Sequence, residues 1–181
     1  DIQLPGLRHV AFLRSPIAHG RLGNIVIPDS VRKQVFLATD LKQVAPIRAR
    51  SALPGFKASD QPVLATTKVR HVGELIAMCV ADTRAQAEDI ADAIEIEIAE
   101  LPVVSDMLAG REDGSALVHE EWGDNLFLTT EFEQDISPIV ARATASVTRT
   151  FRTARQSMSP LEGRGVVTTW DHRLEQLLVY S

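Results

Sequence analysis

Cysteine is nearly absent: Cys79 is alone among 181 residues. A single thiol excludes an intrachain disulfide and any cysteine-clustered zinc or iron–sulfur site. It lies within the apolar run E-L-I-A-M-C-V-A-D, where a buried structural thiol is expected and a nucleophile is not. No apolar stretch approaches the ~20 residues of a bilayer span, and the first residues lack a basic start followed by an apolar core. Neither membrane insertion nor export is expected, and a cytoplasmic location is. Basic residues are missing from Glu112 to Asp135, which holds eight acids. That charge opposes phosphate binding, so a nucleic-acid partner is not expected and a solvated acidic face is.

Catalytic signatures are scarce too. His9, His19, His71, His119 and His172 show no helical metal-ligand spacing, and H-E-E-W at position 119 lacks the second histidine of a zinc-protease motif. Gly163-Arg164-Gly165 supplies two glycines of a dinucleotide fingerprint, but it precedes a strand pattern instead of opening a helix. No G-x-S-x-G elbow occurs. A metal site made by this chain alone is not expected, and a hydrolase triad has no local support.

What is present is a set of short periodic segments. Residues 7–16, 21–27 and 34–39 read as strands, and Pro28-Asp29-Ser30 ends the second. Residues 40–61, divided by Pro46, Pro54 and Gly55, stay unassigned. The apolar run ending at Asp82 predicts a strand buried on both faces. Thr83 and Gln86 form a capping-box pair, and Ala87, Ile90, Ala91 and Ile94 give the buried stripe of a helix. The period then falls to two, with Ile94, Ile96 and Ile98 alternating with Glu95 and Glu97 up to Leu101-Pro102. Residues 103–125 lack a period and read as a surface linker, so the domain boundary is expected there. Beyond it, 129–133, 148–153, 165–170 and 175–180 read as strands. Ser137-Pro138 opens a helix with the stripe Ile139, Val140, Ala143 and Val147.

Two polar groups follow. Arg149, Arg152 and Arg155 could meet a pterin or nucleotide phosphate, or could pair with Glu131, Glu133 and Asp135 across a sheet. Gln156, Glu162 and Arg164 lie in a turn-rich stretch where polar residues are ordinarily structural hydrogen-bonders.

Several segments, taken in order, resemble one family. They are D-I-Q-L-P-G-L at the start, R-S-P-I-A-H-G-R-L from 14, T-K-V-R-H-V-G-E-L-I-A from 67, V-A-D-T-R-A-Q-A-E-D from 80, L-V-H-E-E-W-G-D-N from 117, and T-A-R-Q-S-M-S-P-L-E-G-R-G-V-V from 153. The chain resembles the front part of molybdenum hydroxylase large subunits, the xanthine dehydrogenase, aldehyde oxidase and carbon monoxide dehydrogenase family. The resemblance implies an α+β fold: an α/β hammerhead domain over residues 1–102, a linker at 103–125, and the first strands of an incomplete molybdopterin-binding domain over 126–181.

Family members oxidise an aldehyde, purine, heteroaromatic or similar carbon, or carbon monoxide, with molybdenum bound to molybdopterin and water as the oxygen source. Their active-site glutamine, glycine-rich loop and catalytic glutamate correspond to positions after Ser181. The resemblance therefore implies no catalytic residue, metal or bound cofactor in this chain alone, which would be inactive. Gln156, Glu162 and Arg164 match the family pattern as supports near the cofactor site. Met158 stands where the family often has histidine, and Leu161 where it has methionine, so the substrate stays open. Implied partners are the remainder of the large subunit, iron–sulfur and flavin domains or subunits, and a small-molecule substrate. The alternatives are a free-standing binding or adaptor module and the small chain of a split enzyme.

Overall fold

The computed structural model describes residues 2–131, 134–154, 156 and 159–181. Its strands are β1 (His9–Arg14), β2 (Gly20–Val26), β3 (Val35–Leu37), β4 (Ile47–Arg48), β5 (Asp60–Gln61), β6 (Lys68–Val69), β7 (Leu75–Ala81), β8 (Glu95–Glu100), β9 (Val167–Asp171) and β10 (Gln176–Tyr180). The α-helices are α1 (Arg84–Asp92) and α2 (Ser137–Ala141). None of the described helices is long and apolar enough to cross a membrane. The chain divides into two compact units: one is Pro5–Glu131, and the other joins the first few residues to those after 131.

The first unit is built on two antiparallel three-stranded sheets, β1-β7-β3 and β6-β2-β8. Helix α1 starts where its sequence requires. The Thr83 side chain accepts from Gln86 N, and the Gln86 side chain accepts from Thr83 N, so two otherwise orphaned donors are satisfied. Its stripe of Ala87, Ile90 and Ala91, with Ile94 just beyond, packs on Ala77, Cys79 and Ala81 of β7 and on Val35. Small residues on β7 let the helix approach the sheet closely.

On the opposite face of β7, Ile76 joins Val69 and Ala65 in a second cluster, flanked by Leu22, Ile96 and Ile98 of the other sheet. β7 is thus covered throughout on its helix side but only in part on the other, where Met78 and Val80 stay half-exposed. The run predicted as doubly buried reflects small residues on one face as much as true interior on the other. β7 and β8 flank α1 in sequence yet belong to different sheets. At the β2–β8 crossing a Cβ on Gly20 would lie 2.5 Å from Ile98 Cγ2 and 3.0 Å from Ala99 O, so this close approach requires glycine.

In the second unit, β9 and β10 form an antiparallel hairpin, where 165–170 and 175–180 read as strands. Two expectations fail. Residues 129–131 and 148–153 are irregular, because among the described residues no strand stands beside them to supply a ladder; Phe132 and Glu133 of the expected 129–133 strand lie outside the described residues. Helix α2 stops at Ala141, so Ala143 and Val147 do not continue the stripe, and Ile139 and Val140 are exposed.

Candidate functional site

The most organised polar structure of the first unit lies where the sequence has no period. Residues 103–128 contain two short 3-10 turns, Ala109–Arg111 and Glu120–Trp122, yet side chains tie the segment closely to itself and to the sheets. Asn125 is the centre of the loop. Its Nδ2 donates to Gly110 O (2.9 Å), Ser115 Oγ (3.2 Å) and Ala116 O (2.8 Å), while its Oδ1 accepts from Val118 N (3.0 Å). Gly110 is buried against Val104, whose Cγ1 would sit 2.6 Å from an added Cβ.

Two lysines fasten this loop. Lys68 on β6 is buried, and its Nζ donates to Leu117 O (3.2 Å), Val118 O (3.1 Å) and Glu120 Oε1 (2.8 Å). Lys57 Nζ donates to both carboxylate oxygens of Asp124 (2.6 and 2.7 Å), and Lys57 N donates to Phe127 O (2.7 Å). The Lys57 hydrogen bond, with one from Leu126 N, holds the Asp124 carboxyl below its ordinary range.

The Lys68 hydrogen bond is the main cause of a Glu120 pKa lowered to about 2, with a backbone N–H and the charges of Lys68 and Arg21 adding to it. Because this pKa is depressed, its stabilising contribution is complete above the ordinary value of 4.5 and is lost as pH falls through about 2. Urea unfolding at the two ends of that window is expected to show an acid loss that Glu120→Gln reduces and salt weakens, since the carboxylate is half-exposed.

Beside this lattice is an open apolar cleft of about 680 Å³. Phe56, Met107, Leu108, Trp122, Phe127 and Leu128 form most of its wall, with Lys57, Arg111 and His119 among its polar members. Phe56 and Phe127 meet edge to face at 6.2 Å, and His119 stacks on Trp122 at 4.3 Å. Apart from its Glu121 contact at 3.1 Å, His119 thus serves as an aromatic wall. Periodicity could not find this cleft, because its wall is made by single residues on turns and irregular segments that present no repeating face. Cys79 is fully buried, and burial pushes its thiol pKa up.

Gln156, Glu162 and Arg164 lie in the irregular stretch before β9 and are all exposed. No hydrogen bond or ion pair joins them to one another or to another described residue, so the structure does not assemble them into a cluster. No ion pair links Arg149 or Arg152 to Glu131 or Asp135; Arg155, Glu133 and Met158 lie outside the described residues. Among the described residues no group of three or more His, Cys, Asp or Glu could hold a metal ion.

Residues 1–102 match the family model described as aldehyde oxidase and xanthine dehydrogenase, a/b hammerhead domain. The chain belongs to this family, the molybdenum hydroxylases. It is 28% identical over 186 residues to the nicotine 6-hydroxylase large subunit of Paenarthrobacter nicotinovorans, covering 99% of this chain and 23% of that one. It is 32% identical over 125 residues to the carbon monoxide dehydrogenase large chain of Hydrogenophaga pseudoflava, 67% of this chain and 15% of that one. The crystal structure of quinoline 2-oxidoreductase from Pseudomonas putida 86 superposes with a TM-score of 0.88 at 34% identity, again over 99% of this chain and 23% of the other. The chain therefore spans about a quarter or less of the length of these relatives.

Proposed function

We propose that the chain is the N-terminal part of the large subunit of a molybdenum-dependent hydroxylase that oxidises an aldehyde, purine, heteroaromatic or similar carbon with water as oxygen source, and that these 181 residues are inactive alone. The observation that carries this reading is the state of the second unit. None of its described residues is buried, although Phe151, Leu161, Trp170, Leu177 and Val179 are large and apolar. A domain complete in itself would bury such side chains, and a lone two-stranded hairpin is marginal in water. A free-standing binding module would have to form its own core, so this observation weighs against that alternative.

In this reading residues 1–102 are the hammerhead domain, 103–125 a packed connector and 126–181 the opening of the molybdopterin-binding domain. Gln156, Glu162 and Arg164 fit a role as supports near the cofactor: an amide, a carboxylate and a guanidinium are exposed and unengaged by other described residues. The Arg164 fork suits a phosphate oxygen pair, and Gln156 can both donate and accept at a ring edge. Molybdopterin, when bound, supplies the redox centre; these side chains would orient it. The remainder of the large subunit, together with iron–sulfur and flavin domains or subunits, completes the enzyme in the cytoplasm.

The test is to purify the native polypeptide with an antibody against this sequence and measure its mass and molybdenum. A species several-fold heavier that carries molybdenum is expected. A light polypeptide with a molybdenum-bearing partner would indicate a split enzyme, and a light, metal-free, solitary one would overturn the proposal.

A further inference from the structure

We infer that the apolar cleft of the first unit is the seat of a later segment of the same large subunit, an apolar stretch with a carboxylate beside it. This rests on reading the chain as part of a longer polypeptide. The cleft wall is too exposed to be a finished surface: Met107 is 79% exposed, Phe127 55% and Leu108 53%, and they share one concavity. Contiguous apolar surface of this kind marks an interaction site.

The seat is also preformed. Asn125 closes the loop through four hydrogen bonds, Gly110 packs against Val104, Lys68 fastens the loop to β6, and Lys57 ties it to the connection between β4 and β5. A rigid wall of this kind needs little ordering when its occupant arrives. Charge indicates what the occupant carries. Lys57 is neutralised by Asp124, whereas Arg111 is exposed at the cleft without an ion-pair partner among the described residues. A guanidinium at the edge of an apolar groove selects a carboxylate, which it can hold through two parallel hydrogen bonds.

Length favours a protein occupant over a small molecule. The relatives that match nearly the whole chain are about four times as long, so most of such a subunit lies outside these residues. A small-ligand site buries most of its ligand, and this cleft is open to solvent along residues that stand out from it.

Methionine oxidation in the native, full-length polypeptide reads the cover directly. With dilute peroxide, Met107 is expected to form sulfoxide at least about fivefold more slowly than a free methionine peptide in the same tube. A photocrosslinker, p-benzoylphenylalanine in place of Phe127, is expected to join a segment of the same polypeptide beyond residue 181 that contains Asp or Glu. Met107 oxidising at the free-peptide rate in a heavy polypeptide would overturn the inference and leave the proposed function standing. A crosslink to another polypeptide, or to a segment without an acid, would also overturn it. A native polypeptide that stops near Ser181 would instead sink the underlying reading.

Discussion

Ile76→Ala is expected to destabilise the first unit by about 3–5 kcal/mol, in the range for emptying a fully buried aliphatic site. Ile76 is 0% exposed and stands between the two sheets, touching Val69 and Ala65 with Leu22, Ile96 and Ile98 around it. Removing its side chain loses both transfer free energy and the contacts of every neighbour that cannot follow. Its strand is held in the β1-β7-β3 sheet and the facing residues in the β6-β2-β8 sheet, so collapse into the gap is restricted. Ile76→Val should cost about 1 kcal/mol and serves as the graded control. Denaturant unfolding followed by circular dichroism measures both. An Ile76→Ala cost no larger than that of Ile76→Val would show that the sheets do not pack through this residue.

Lys68→Met is expected to cost about 2–3 kcal/mol, the scale of charged hydrogen bonds left unmade in a buried setting. Methionine keeps the apolar stem, so the loss isolates the ammonium. Two backbone carbonyls, of Leu117 and Val118, lose their donor, and they sit on the loop that walls the cleft. Glu120→Gln should cost less, about 1 kcal/mol, because the amide oxygen can still accept from Lys68 Nζ, which keeps its bonds to the Leu117 and Val118 carbonyls. The two costs differ because only Lys68→Met strands backbone acceptors, while the carboxylate it leaves behind, 48% exposed, is rehydrated. Equal costs would mean that Lys68 does not hold the Leu117 and Val118 carbonyls. Faster amide exchange confined to residues near 110–125 should accompany Lys68→Met.

The sequence was most legible where local chemistry and period agree. Thr83 and Gln86 announced the start of α1, and the alternation of Ile96 and Ile98 with glutamates announced β8. The partner of each strand was not legible, because pairing of β8 with β2 is a contact across about 75 residues that no local pattern encodes. The 103–125 segment was read only as a surface linker because periodicity detects repeating faces. Its order comes instead from Asn125 and Lys68 bonding to backbone groups, each a single residue with no echo in the neighbouring sequence. The 148–153 pattern has strand composition but no neighbouring strand among the described residues, and composition alone cannot make a ladder. Of the candidate cofactor supports, Gln156, Glu162 and Arg164 were recognisable only through family resemblance. They are exposed, and no ion pair or hydrogen bond to another described residue distinguishes them.

Amide hydrogen exchange across β9 and β10 tests most directly whether the second unit is the opening of a larger domain. The 181-residue chain and the native polypeptide would be compared, with β1 and β7 as internal references. Fast exchange is expected in the hairpin of the 181-residue chain, strong protection of β1 and β7 in both, and hairpin protection only in the native polypeptide. Slow exchange of β9 and β10 in the 181-residue chain, matching that of β7, would contradict this reading.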